Sequence, residues 1–172
     1  MLIMDGYSLY HQVMFLSSKS TEATLKVFRN YHVEAKRYTG RKLQNMHLDM
    51  GKEWLNSAWE MYAKAHGIKL DFTTPYAYQQ NGAAERSICL VLNGARSVLV
   101  ESGLPIKYWT DAVNTVTYVQ NFIPSMRCPR SIPAELWYCR RQNISHLRPF
   151  GTMAYTHIPL DLGLSKLSPR ST

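Results

Sequence analysis

Apolar and polar positions along the chain predict strands that alternate with helices. Short apolar runs at residues 2–5 and 10–16 are typical of strands. Between Ser20 and Gly40, apolar side chains recur at helical spacing, with hydroxyl residues that can cap the first turn and a glycine that can end the last. The chain therefore starts with two strands and a helix.

The same reading continues to about residue 124. The further predicted elements are a strand at 43–48, a helix at 54–65 ended by Gly67, a strand at 68–72, a polar loop, a helix from about residue 83 to Gly103, and a helix at roughly 106–122 ended by Pro124. Strands that alternate with helices indicate an α/β fold with a partly parallel sheet.

The amino-acid composition changes after residue 125. Prolines interrupt short apolar stretches, and seven Lys or Arg residues stand against only Glu135 and Asp161. We therefore predict one domain at 1–125 and a short Pro-rich extension at 126–172.

Composition and charge narrow the possible partners. The net charge of +8 and the pI near 9.5 favour contact with nucleic acid or another polyanion. No apolar run is long enough to cross a bilayer, so we predict no membrane partner. Three cysteines without a Cys-x-x-Cys pair, and six histidines without ligand spacing to them, predict neither disulfides nor structural zinc.

Three acids stand at the ends of predicted elements. Asp5 ends the first strand, Asp49 ends the strand after the first helix, and Glu85 falls in the first turn of the long helix, with 35 residues between Asp49 and Glu85. Mg²⁺ prefers carboxylate oxygens, and two such ions can stabilise the attacking and leaving oxygens of a displacement at phosphorus. This pattern suggests a two-metal phosphoryl-transfer site.

Each acid also has an ordinary structural alternative. Asp5 could be a turn residue, and Asp49 could cap a loop. Glu85 could favour a helix N-terminus through the macrodipole. Spacing alone does not choose between these roles and metal binding.

A polar run leads directly into the third acid: Gln79-Gln80-Asn81-Gly82-Ala83-Ala84-Glu85-Arg86. Together with the stretches at 2–8, 48–54, 74–76 and 104–109, this run resembles the integrase catalytic core of copia-type LTR retrotransposons, in the retroviral integrase superfamily. The stretches at 146–151 and 166–170 resemble the small β module that follows the core in these polyproteins.

The resemblance implies a fold, a reaction and a set of partners. The fold would be a ribonuclease H-like mixed sheet flanked by helices, with the start of a small SH3-like β module at 126–172. The reaction would be metal-dependent trimming of DNA 3′-ends followed by strand transfer into target DNA. The enzyme would be a homo-oligomer when full length, acting in the nucleus and cytoplasm as part of a Pol polyprotein.

The resemblance also assigns the site residues. Two Mg²⁺ or Mn²⁺ ions would be held by Asp5, Asp49 and Glu85. DNA would be contacted by residues of the polar loop and the cation after it, namely Tyr76, Gln79, Gln80, Asn81, Gly82 and Arg86.

The sequence also departs from the pattern of that family. Leu9 stands where the family usually has Arg, and Met50-Gly51-Lys52 stands where it has Asn-Gly-Gly. Only four residues precede Asp5, so we expect the first strand, central in such a sheet, to be truncated and the zinc-binding domain that precedes the core in the family to be absent. The alternatives are an inactive relic or nucleic-acid-binding module that keeps the fold, and a cellular ribonuclease H-like nuclease.

Overall fold

The computed structural model describes residues 1–73, 78–124 and 130–155, and their side chains except those of 78–81. The elements along the chain are β1 (Leu2–Met4), β2 (His11–Val13), α1 (Thr21–Thr39), β3 (Asn45–Leu48), α2 (Ser57–His66), β4 (Lys69–Phe72), α3 (Tyr78–Ser102), a 3₁₀ turn (Ile106–Tyr108), α4 (Trp109–Gln120) and α5 (Pro133–Tyr138). The predicted alternation of strands and helices is confirmed, and the fold is mixed α/β.

Both ends of α1 and the C-terminal end of α2 form where the sequence predicted them, whereas α2 starts at Ser57 and not at residue 54. Ser20 Oγ accepts a hydrogen bond from the Ala23 N–H at 3.3 Å, which satisfies one of the free amides of the first turn of α1. Gly40 and Gly67 end the two helices in the left-handed conformation, each with φ of 65°. Asn56 caps α2 by accepting from two amides of its first turn.

The long helix α3 begins earlier than predicted. It starts at Tyr78, so the predicted loop at 76–82 is wrong from Tyr78 onward. The apolar stripe used for the prediction starts only at Ile88, whereas glutamine has a good helix propensity without adding to such a stripe. Residues 74–77 lie outside the described part of the chain.

The described strands form two separate two-stranded sheets, where the sequence predicted one mixed sheet. β1 and β2 are antiparallel, with Ile3 opposite Gln12. β3 and β4 are parallel, with Met46 opposite Leu70. Neither pair is hydrogen-bonded to the other.

Aromatic side chains on α1 connect the two sheets. Phe28, 1% exposed, packs against Trp59 of α2, 0% exposed, with 5.0 Å between ring centroids. Ile3 of β1 and Met46 of β3 pack on the same cluster. The core therefore lies between α1 and both strand pairs.

The helix α5 lies beyond the boundary predicted at residue 125 but belongs to this core. Its Trp137 is buried and stacks on Tyr10 with ring centroids 5.0 Å apart. Residues 130–155 otherwise contain turns and irregular chain and no strand. The β module stays a prediction, because residues 156–172 lie outside the described part.

A second apolar cluster joins α3 to α4. The helices approach closely at Gly94, where an added Cβ would stand 2.7 Å from Val116 Cγ1. Val91, Ala95 and Val113 are buried beside this contact. Across the ranges that the structure describes, no helix is both long and apolar enough to cross a bilayer.

The pH dependence of stability should carry a contribution from His32. Its Nδ1 lies 2.8 Å from the Tyr62 hydroxyl, and burial, with smaller contributions from His66 and Lys36, lowers its pKa below the usual value of about 6.5. The unfolded chain then binds the proton more readily than the folded one, so the free energy of unfolding should fall as pH drops below about 6.5. In urea titrations from pH 8 to 5, the free energy of unfolding should fall less steeply for His32→Gln than for wild type. His47→Gln is the exposed control. An identical fall in His32→Gln and wild type would contradict this assignment.

Gly94→Ala should destabilise the fold although alanine favours helices by about 1 kcal/mol. The new methyl group would press on Val116, and such overpacking typically costs about 1–3 kcal/mol. Urea unfolding measures the loss. A double-mutant cycle with Val116→Ala should show losses smaller than the sum of the two single changes. Additive losses would mean that the helices do not meet at this point.

Candidate metal and nucleic-acid site

The carboxylate of Asp5 closes the turn between β1 and β2. Its Oδ2 accepts hydrogen bonds from both the backbone N–H and the hydroxyl of Ser8, each at 2.7 Å. Ser8 is 1% exposed, and its Oγ accepts in turn from the Tyr10 N–H at 3.2 Å. Asp5 therefore has the structural role of a turn residue, which the sequence left open beside metal binding.

Asp5 faces a cleft beside the second half of α1. The cleft has a volume of about 230 Å³, and its walls include Tyr31, Lys36, Leu43 and Gln44. Burial raises the pKa of the Tyr31 hydroxyl, and the negative charge of Asp5 raises it further. These neighbours place Asp5 next to the residues that precede β3.

Asp49 lies at the other end of β3. It is exposed, and its Oδ1 accepts from the Gly51 N–H at 3.2 Å. The segment after it reaches the start of α1, where Asn56 Nδ2 donates to Thr21 Oγ1 at 3.0 Å. Asp5 thus lies beside the second half of α1, whereas the segment that follows Asp49 reaches the first residue of this helix.

Glu85 is exposed and lies two turns inside α3, since the helix starts at Tyr78. Its predicted place in the first turn is therefore wrong. Ser87, two residues later, donates from Oγ to Met4 Sδ at 3.6 Å, so this turn of α3 packs on β1. The start of α3 lies within about 20 Å of Phe72, the last residue of β4, because only six residue steps join them.

Arg86 is the described cation of the predicted DNA site. It is exposed, and its Nη1 lies 3.5 Å from the position that a Cβ on Gly82 would occupy. The guanidinium group therefore folds back along α3 over the glycine. Tyr76 lies outside the described residues, as do the side chains of Gln79, Gln80 and Asn81, and their contacts with DNA stay a prediction.

The structure does not bring the three predicted ligands together. Within residues 1–73, 82–124 and 130–155, no group of three or more His, Cys, Asp or Glu side chains could hold a metal ion. The carboxylate of Asp5 is instead bound by Ser8, and the assignment of a metal site to Asp5, Asp49 and Glu85 stays a prediction.

Sequence comparison places the chain beside a transposon protein. The retrovirus-related Pol polyprotein from transposon TNT 1-94 of Nicotiana tabacum is 36% identical to it over 141 residues. The match covers 82% of this chain and 11% of the polyprotein, so the chain spans about a tenth of that relative. No protein-family model matches the chain.

Solved structures with a similar fold are retroviral integrases. The HTLV-2 integrase catalytic core domain in complex with magnesium aligns with a TM-score of 0.58 and 18% identity, over 78% of this chain and 80% of that one. The simian T-cell lymphotropic virus intasome in complex with PP2A regulatory subunit B56 gamma aligns with a TM-score of 0.63 and 14% identity, over 98% of this chain and 58% of that one. The chain belongs to the Pol polyproteins of retrotransposons, in the part that has the fold of an integrase catalytic core.

Proposed function

We propose that this chain is the DNA-joining part of a retrotransposon integrase, which trims DNA 3′-ends and transfers them into target DNA. The observation that carries the proposal is the 36% identity to a Pol polyprotein over 141 residues, in a chain with the integrase-core fold. Both reactions are in-line displacements at phosphorus, so one metal site can serve both.

Asp49 and Glu85 are the residues that would hold the metal. Both carboxylates are exposed and in no ion pair of the described residues, and Mg²⁺ and Mn²⁺ favour such oxygen ligands. The HTLV-2 integrase core was solved with magnesium, which supports the choice of ion. When bound, the metal would supply positive charge to the attacking and leaving oxygens, whereas Asp5 would shape the turn that follows β1.

The proposed partner is DNA. The net charge of +8 favours a polyanion, and the exposed guanidinium of Arg86 follows directly on Glu85 in α3. A phosphate bound there would be placed one residue from a proposed metal ligand. The similar structures are described as a trimeric core, a dimeric core and an intasome, which supports self-assembly of the full-length protein. The nucleus and cytoplasm are the proposed locations.

A second candidate is a module that binds nucleic acid without catalysis. One observation favours it: the described acids do not form a cluster of three. In this candidate, as in the first, the basic net charge would favour binding to nucleic acid. The two candidates differ in whether DNA strands are joined.

Strand transfer should depend on Asp49 and Glu85. We expect the folded chain, given Mn²⁺ and DNA with the element's ends, to form joined products that fall roughly 10³-fold in Asp49→Asn and in Glu85→Gln, because each change removes several kcal/mol of charge stabilisation. Glu60→Gln, an exposed acid of α2, is the matched control. Products that persist in both variants would refute the assignment of the ligands. A folded chain that binds DNA and joins none would establish the binding module.

Asp5→Ala should lower stability and leave metal binding unchanged. The change removes the acceptor of two hydrogen bonds from buried Ser8, and leaving those donors unpaired costs about 1–3 kcal/mol. Urea unfolding and Mn²⁺ titration by calorimetry measure the two effects, with Asp49→Asn expected to show the reverse pattern. Loss of Mn²⁺ binding in Asp5→Ala at unchanged stability would instead identify Asp5 as a metal ligand.

A further inference from the structure

One wall of the cleft beside the second half of α1 is formed by three cations. This cationic wall consists of Lys36, in the last turn of the helix, and of Arg41 and Lys42, which follow the end of the helix. All three side chains are exposed, and within the described residues none of them forms an ion pair. Asp5 is the only acid among the described residues that line the cleft. The cleft therefore carries a surplus of positive charge that is open to an anion.

The macrodipole of α1 accounts for only part of this charge. Cations in the last turn of a helix stabilise its free carbonyls by about 0.3–1 kcal/mol each, which explains Lys36 and the neighbouring Arg37. Arg41 and Lys42 lie beyond Gly40, which ends the helix in the left-handed conformation. The helix end contributes roughly half a negative charge, so most of the positive charge of the cationic wall stays uncompensated.

The opposite side of the cleft is aromatic. This aromatic wall consists of Tyr7, Tyr31 and Trp137. Tyr7 is 66% exposed in the turn between β1 and β2, and the Arg41 guanidinium lies 5.7 Å from the centre of its ring. Tyr31 and Trp137 are buried deeper, and their ring planes are 24° from parallel. Flat aromatic surfaces of this kind suit the face of a planar ring.

Two polar groups of the cleft have unused hydrogen-bonding capacity. The Tyr31 side chain is only 8% exposed, and its hydroxyl has no hydrogen-bond partner among the described residues. Burial, and after it the charge of Asp5, raise the pKa of this hydroxyl, so it keeps its proton and can donate. Oδ2 of Asp5 is bound by Ser8, whereas Oδ1 accepts no hydrogen bond from the described residues. A ligand with both an acceptor and an N–H or O–H group would satisfy the two.

The size of the cleft limits the ligand to one small unit. Its volume of about 230 Å³ is below the roughly 300–1,000 Å³ of pockets that bind drug-sized molecules. A double helix binds over a much larger surface. The charge, the aromatic wall and the volume together indicate a planar ring that carries a phosphate.

We propose that this cleft binds one nucleotide, either free or as a unit of a single-stranded nucleic acid. The cationic wall binds the phosphate, and the base lies against the aromatic wall. Positive charge favours phosphate, and aromatic side chains stack on the face of any base. The site uses neither Asp49 nor Glu85 and needs no metal, so it does not rest on the proposed strand transfer.

Calorimetric titration with deoxyadenosine 5′-monophosphate, in the presence of a chelator of divalent ions, tests this site. The nucleotide should bind at least tenfold more tightly than deoxyadenosine or inorganic phosphate, because it alone contacts both walls. Arg41→Gln and Tyr7→Leu should each weaken binding about tenfold, because one removes a charge-assisted phosphate contact and the other a stacking surface. Arg37→Gln and Tyr155→Leu are the matched controls, since both side chains are exposed and neither lines the cleft.

An oligonucleotide of five deoxyadenosine units without terminal phosphates identifies the source of the nucleotide. Competition between this strand and the monophosphate would support the proposal and assign the cleft to a unit of single-stranded DNA. Binding of the monophosphate without such competition would support it for a free nucleotide.

Three outcomes would overturn the proposal. The first is that the monophosphate does not bind at millimolar concentration. The second is that inorganic phosphate binds as tightly as the monophosphate, which would mean an anion site without recognition of the base. The third is that Arg37→Gln weakens binding as much as Arg41→Gln does, which would mean attraction by the net charge alone. The titrations contain no metal and no joining reaction, so failure here is distinguishable from failure of the proposed function.

Discussion

The packing of two strand pairs on the aromatic face of α1 is the constraint on which the rest of the structure depends. Phe28 and Tyr31 on this helix contact a core that includes Trp59 of α2 and Trp137 of α5. Large aromatic side chains bury enough apolar area to hold elements that share no hydrogen bonds. The strand pairs can therefore keep their places although no ladder connects them.

That constraint also decides which acids can act together. Asp5 lies beside the second half of α1, the segment after Asp49 reaches the start of that helix, and the three acids form no common cluster in the described residues. Asp49 and Glu85 stay exposed and available, whereas Asp5 is engaged by Ser8.

Local features were predictable from sequence, and non-local pairing was not. Ser20, Gly40 and Gly67 act through their own turns, so the helix ends followed from residue type. The division into two sheets depends on edges far apart in the chain, which no local pattern records. Likewise, the role of Asp5 depends on the orientation of the Ser8 hydroxyl, which the sequence does not determine. The sequence also did not predict that the Asn121 side chain would accept a hydrogen bond from His11 of β2.

The measurement that tests the account most directly is anomalous diffraction from crystals of this chain soaked in Mn²⁺. The account predicts a peak within ligand distance of the Asp49 carboxylate, with Glu85 on the same ion or on a second ion beside it, and no peak at Asp5. A peak coordinated by Asp5, with Ser8 displaced from its hydrogen bonds, would contradict the division of roles among the three acids.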